Sequence, residues 1–176
     1  SLVGSEMCIR DRVRIGNDGI DTAVSIVLVD SQGQRSFIAS QGLNNITLSL
    51  EDVDMDVVCS SRFLSYGSLC FMKALDPVVG KDVFREARKH GVKVVADCCA
   101  NVYSYPPELI LSTLQDIDYF VPSMEEAVNL TRQSEPQRIA RELSDYGCAN
   151  LVIKLGARGC YIRSSEWEGL IPAYSV

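Results

Sequence analysis

From Val24 onward, short apolar runs alternate with stretches of helical period. Val24 to Val29 is apolar and β-branched and predicts a strand. Asp30-Ser31-Gln32-Gly33 has turn chemistry, and Arg35 to Ala39 predicts the returning strand of a hairpin. Leu43 to Leu50 is polar and irregular. Ser49 stands three before Asp52, the spacing of a helix start, and a short helix is expected as far as about Cys59. Phe63 to Tyr66 predicts a strand ending at Gly67. Asp76-Pro77 predicts a helix N-cap followed by proline at the first helical position. Val79, Val83 and Ala87 then share one face, and Gly91 stops the helix after a basic last turn. Val92 to Ala96 is the next strand, ending at Asp97. A short helix after Pro106-Pro107, a strand over Asp118 to Val121, and helices over Ser123 to Thr131 and Gln137 to Tyr146 follow. Asn150 to Lys154 closes the series, with Cys160 to Arg163 able to pair back on it. From Phe63 the strands and helices alternate, which predicts an α/β protein with a parallel sheet covered by helices and right-handed crossovers. The hairpin stands outside that alternation.

Composition narrows the class. The chain has 176 residues, 47% hydrophobic and 23% charged, and a net charge of −6. It is large enough for one core. The acidic balance speaks against nucleic acid as a partner, because that surface needs a basic patch. No apolar run approaches 18 residues, so no membrane span is expected. Seven cysteines and one histidine, with no Cys-x-x-Cys pair, make a zinc site a poor reading. Free, buried thiols in a reducing cytoplasm fit better. Ser1 to Arg12 shows no period and resembles a translated sequencing-adapter artefact, so it is set aside. The working partition is residues 1–12 as a non-native segment and 13–176 as part of a domain. Within the latter, a hairpin lies at about 22–39 and an α/β core at about 50–176.

Three strand ends carry candidate chemistry. Ser123-x-x-Glu126 is first of all a capping box, serine at the N-cap and glutamate at N3. It can also face a phosphate or a magnesium ion, because a helix N-terminus offers free N–H groups and a carboxylate one turn in can hold a metal-bound water. Lys154-Leu155-Gly156-Ala157-Arg158-Gly159 follows a strand. Gly-x-x-Gly there is either a hairpin device or a place where the backbone at Gly156 approaches a nucleotide phosphate or ribose. Asp97 ends an apolar strand, as a working carboxylate or as a cap. The P-loop, the dinucleotide Gly-x-Gly-x-x-Gly and the Gly-x-Ser-x-Gly elbow are all absent.

Asp118-Tyr119-Phe120-Val121-Pro122-Ser123-Met124-Glu125-Glu126-Ala127, followed by Val152-Ile153-Lys154-Leu155-Gly156-Ala157-Arg158-Gly159, resembles the ribokinase-like (PfkB) carbohydrate kinases. That family carries "D-Y-F-x-P-N-x-x-E-A" and "V-x-x-L-G-x-x-G" in this order. Ser123 stands where the family has asparagine. After Asp97 the family often reads Asp-x-Asn-x-Arg, whereas this chain has Asp97-Cys98-Cys99-Ala100-Asn101, so only Asp97 carries over. The resemblance implies a ribokinase-like three-layer fold with a mostly parallel sheet and a small β lid, incomplete at both ends. It implies ATP and Mg2+ as cofactors, with Ser123, Glu126 and Asp97 toward phosphate and magnesium, Glu126 through water. Lys154, Gly156 and Gly159 then face the nucleotide. The hairpin resembles the lid that covers the sugar and often forms dimer contacts. Phe37 is there a candidate to pack on the sugar, with core or interface packing as the plainer role. The implied activity is phosphoryl transfer to a hydroxymethyl group of a small sugar, with nucleoside kinase and non-enzymatic nucleotide-binding module as alternatives. The family's Gly-Ala-Gly-Asp motif, which holds the general base, is expected after Tyr174, so no catalytic base is expected in this chain and it should be nearly inactive alone.

Overall fold

The computed structural model describes residues 23–40, 47–76, 79–99 and 105–174. Ser1 to Arg12, Leu43 to Ile46, Pro77, and Ala100 to Tyr103 lie outside the described residues. The chain divides into two compact units, Ser1–Leu48 and Ser49–Val176.

In the first unit, β1 (Ser25–Val29) and β2 (Arg35–Ala39) form the expected antiparallel hairpin, with Val27 opposite Phe37. Asp30 makes the turn. Its carboxylate accepts from the Gln32 and Gln34 amides at 2.8 and 2.9 Å, and Gly33 takes a φ of 78° that L-residues avoid. The hairpin buries neither of its faces. Ile26, Leu28, Phe37 and Ile38 are all more than half exposed. Among the described residues of this unit Phe37 is not packed in a core, being 62% exposed.

The second unit is a six-stranded sheet in the order β3-β4-β5-β6-β7-β8. β3 (Phe63–Leu69), β4 (Lys93–Cys98), β5 (Tyr119–Phe120) and β6 (Asn150–Lys154) are parallel neighbours. β7 (Cys160–Arg163) and β8 (Glu168–Ile171) continue as an antiparallel meander. Helices connect the parallel strands, as alternation predicts. α1 (Met55–Ser60) precedes β3, and the connecting helices are α2 (Gly80–Lys89), α3 (Pro107–Leu111), α4 (Met124–Thr131) and α5 (Pro136–Asp145). Burial alternates along the strands. Val94, Ala96, Leu151 and Ile153 are fully covered on one face, while Val95 and Val152 on the other are partly covered. Phe84 of α2, Ile139 and Leu143 of α5, and Phe120 are fully buried in the same core. At roughly 1.5–3 kcal/mol for each large apolar side chain, this burial outweighs any single hydrogen bond in the unit.

Four local expectations are corrected. The helix after Asp76 spans Gly80–Lys89 with Val79, not Asp76, at its N-cap, and the Asp76 carboxylate is taken by Tyr66 and Met72. β3 continues to Leu69, past Gly67. Asp97 lies inside β4, which runs on to Cys98. The helix near residues 50–59 splits into a 3-10 turn over Leu50–Asp52 and α1, because Asp54 supplies a new N-cap, accepting from the Val57 amide at 3.1 Å. Of the cysteines described, none is in a disulfide; Cys70, Cys98 and Cys148 are buried, and Cys59, Cys99 and Cys160 are partly exposed.

Candidate functional site

In a parallel sheet the carboxyl ends of all strands point to one edge, and ligands bind there. The residues after β5 and at the ends of β4 and β6 meet on that edge. Beyond β5, Val121-Pro122 leads into Ser123, which bridges in parallel to Lys154, and the Lys154 amide donates to Pro122 O at 2.9 Å. This contact fixes the start of α4 against the end of β6.

The start of α4 is a complete capping box. Ser123 Oγ accepts from the Glu126 amide at 3.2 Å, and Glu126 Oε2 accepts from the Ser123 amide at 2.6 Å. The structural reading of Ser123-x-x-Glu126 is therefore realised. It uses one oxygen of the Glu126 carboxylate, and a carboxylate has acceptor capacity for several partners.

Asp97 sits between two of these elements. Its Oδ1 accepts from the Ser68 amide at 2.6 Å, and its Oδ2 lies 3.8 Å from Lys154 Nζ. Both side chains of that ion pair are more than 40% exposed. A long pair in water stabilises by less than ~1 kcal/mol, so an arriving phosphate or metal can exchange with either partner at little cost. The sequence thus named Asp97, Ser123, Glu126 and Lys154 separately, and the structure brings them to one edge.

The Ser68 contact was not legible in the sequence. Ser68 and Cys70 have φ of 63° and 81°, rare for non-glycine residues, and the β3–β4 register shifts between Tyr66 and Leu69. Just below, the Cys98 thiol is held strongly protonated, first by its hydrogen bond with Cys70 and then by burial. It is no nucleophile at neutral pH.

The two glycines differ. Gly156, with φ of 61°, opens the 3-10 turn after Leu155 and has free space where a Cβ would stand. Gly159, with φ of 94° and ψ of −133°, lies against the chain just beyond β8. A Cβ there would meet Ile171 O at 1.9 Å. The close backbone approach at Gly159 is thus made by the protein itself. Phe37 belongs to the other unit.

At the opposite, amino-terminal edge, Asp118 accepts from the Val94 amide at 2.9 Å and pairs with Lys93 and Arg88, and Asp116 pairs with Arg85. These carboxylates are taken up by strand and helix cations. Among the described residues no cluster of three or more His, Cys, Asp or Glu side chains could hold a metal alone, and no helix is long and apolar enough to cross a membrane.

A family model described as pfkB family carbohydrate kinase matches residues 10–176. The chain belongs to the pfkB family of carbohydrate kinases. Proteins of this family are phosphotransferases that use ATP. Fructokinase-2 of Oryza sativa subsp. japonica is 22% identical over 162 residues, covering 88% of this chain and 48% of that protein. The chain spans about half the length of the curated relatives it matches. Among solved structures, adenosine kinase from Sinorhizobium meliloti superposes with a TM-score of 0.75 at 22% identity, covering 90% of this chain and 49% of that one. Ribokinase from Giardia lamblia gives 0.73 at 19% identity, covering 89% and 49%. These likenesses establish the ribokinase-like fold.

Proposed function

We propose that the protein transfers the γ-phosphoryl group of magnesium-bound ATP to a hydroxymethyl group of a small carbohydrate. The observation that carries this reading is the convergence of Asp97, the Ser123–Glu126 box and Lys154 at the carboxyl ends of β4, β5 and β6. Phosphoryl transfer asks mainly for positioning and for charge stabilisation. Lys154, released from its weak pair with Asp97, supplies positive charge to phosphate oxygens. The free N–H groups of the first turn of α4 add the positive end of the helix.

The donor set suits magnesium. This ion prefers oxygen ligands and takes only one or two carboxylates, completing its shell with phosphates and water, so a cage of three acidic residues is not required. Asp97 and Glu126 supply those carboxylates, Glu126 through a water. The metal neutralises phosphate charge when bound. Gly156, free of side-chain crowding, supplies backbone beside the nucleotide, and Gly159 holds that turn in place.

The exposed apolar face of the hairpin supports its assignment as a lid over the sugar, with Phe37 on the sugar or on a second copy of the chain. Residues 13–176 then form part of one kinase domain, with the lid at about 22–39. The test is turnover of the full-length protein with ATP against a panel of sugars and nucleosides, with product analysis. Phosphorylated sugar is the expected result. Exclusive nucleoside turnover would move the assignment to nucleoside kinase, and turnover with neither class would overturn it in favour of a binding module.

A further inference from the structure

The end of β3 and the turn that follows it contain two left-handed non-glycine residues, Ser68 and Cys70, and something must hold them there. The holder is Asp76, which is 7% exposed. Its Oδ1 accepts from Tyr66 Oη at 2.8 Å and its Oδ2 from the Met72 amide at 2.6 Å. The neighbouring Phe71 amide donates to Ser68 O at 3.0 Å, and the Asp76 amide donates back to Met72 O at 2.8 Å. One carboxylate thus ties the Met72 amide to the Tyr66 phenol. Tyr66 is itself fixed by an edge contact to Phe84, with ring centroids 4.9 Å apart.

We infer that Asp76, with Tyr66 as its anchor, is a positioning residue for the phosphate-facing edge, acting through the 68–72 turn on Asp97. The path is short and physical. Asp76 fixes the Met72 amide, and next to it the Phe71 amide donates to Ser68 O. That turn holds Ser68 in the left-handed region. In that conformation the Ser68 N–H donates to Asp97 Oδ1, 2.6 Å away. Asp97 in turn faces Lys154. Left-handed backbone at non-glycine residues costs of order 1–3 kcal/mol each and persists where the surroundings over-determine it. Burial raises Asp76 above the ordinary carboxylate range, chiefly by desolvation, so its charge opposes folding at neutral pH. A simple structural cap on the surface would not carry that penalty. The inference rests on the kinase reading for what Asp97 does, but not for the coupling itself.

The experiment is amide hydrogen exchange and steady-state kinetics on the full-length protein and its Asp76→Ala variant. Asp76→Asn, which keeps one acceptor oxygen and can reverse the Tyr66 bond, serves where alanine prevents folding. Asp97→Asn is the control. The expected result is exchange at the Ser68 amide at least tenfold faster in the Asp76 variants, with Val94 and Phe120 amides unchanged. A lower kcat at unaltered KM for ATP should accompany it. Asp97→Asn should speed Ser68 without touching Met72. Unchanged Ser68 exchange, or acceleration spread equally over β3 and β4, would overturn the inference. So would unaltered kcat in a variant with a loosened Ser68 amide. Absence of turnover in the wild type would remove the kinase reading alone, and Ser68 exchange would still decide the coupling.

Discussion

Substituting the two glycines of the β6–β7 turn separates a backbone device from a ligand contact. At Gly156 an alanine meets open space and needs only a left-handed conformation, which costs roughly 1–2 kcal/mol for an L-residue. At Gly159 the φ of 94° with ψ of −133° belongs to a region that is essentially glycine's alone, at of order 1–3 kcal/mol for any other residue. The added Cβ would also lie 1.9 Å from Ile171 O and 2.7 Å from Ala173 N, both backbone atoms. No side chain can rotate out of the way, so the end of β8 must leave β7. Gly159→Ala should therefore destabilise by more than ~3 kcal/mol, since strain and lost pairing add. Gly156→Ala should lose no more than ~2 kcal/mol and raise KM for ATP. Urea unfolding of the full-length variants, with initial rates at varied ATP, reads both quantities. Equal destabilisation at the two positions would refute the steric argument. An unaltered KM in Gly156→Ala would refute its place beside the nucleotide.

Glu126→Gln keeps an N3 cap and should change stability by no more than ~0.5 kcal/mol, while kcat falls by at least ~10²-fold, the scale for losing a group that acts in the transition state. Unchanged kcat in a variant of normal stability would leave capping as its only role. For Asp76 the native pKa lies above the unfolded value of 3.8, so the native state binds its proton more tightly. Its stabilising contribution is complete below the unfolded value and lost as pH rises through the native one. The stability difference, wild type minus Asp76→Asn, should accordingly fall as pH rises from 3.8, and a difference that grows would reverse the sign assigned here. Phe120→Ala, at a fully buried side chain in the middle of the parallel strands, should cost about 3–5 kcal/mol in denaturant unfolding. A loss below ~1 kcal/mol would mean that this region is not packed as described.

Much of the fold was legible because local chemistry and tertiary structure agree. Asn150 to Lys154 and Cys160 to Arg163 are apolar runs split by a glycine turn, and they form β6 and β7 with those bounds. Ser123 and Glu126 satisfy each other through atoms three residues apart, so their box was readable before any packing was known. Asp76 shows the opposite case. Asp-Pro is a good local helix start, but Tyr66, ten positions earlier, and the Met72 amide compete for the same carboxylate. The left-handed Ser68 and Cys70 carry no glycine or asparagine signal, because tertiary contacts impose their conformation. The Asp97–Lys154 pair depends on strand order, which no spacing rule reports. The lid assignment stands on resemblance and on exposed apolar residues.

The central claim is that the carboxyl-terminal edge of β4, β5 and β6 receives the phosphates of ATP. Titrating the full-length, isotopically labelled protein with magnesium-bound ATP and following backbone amide resonances tests it directly. The account predicts saturable shifts at Ser68, Ser123, Glu126, Lys154 and Gly156, with none at Lys93, Asp118 and Asn150 on the opposite edge. Saturable binding that shifts the opposite edge and leaves Ser123, Glu126 and Lys154 unmoved would contradict it.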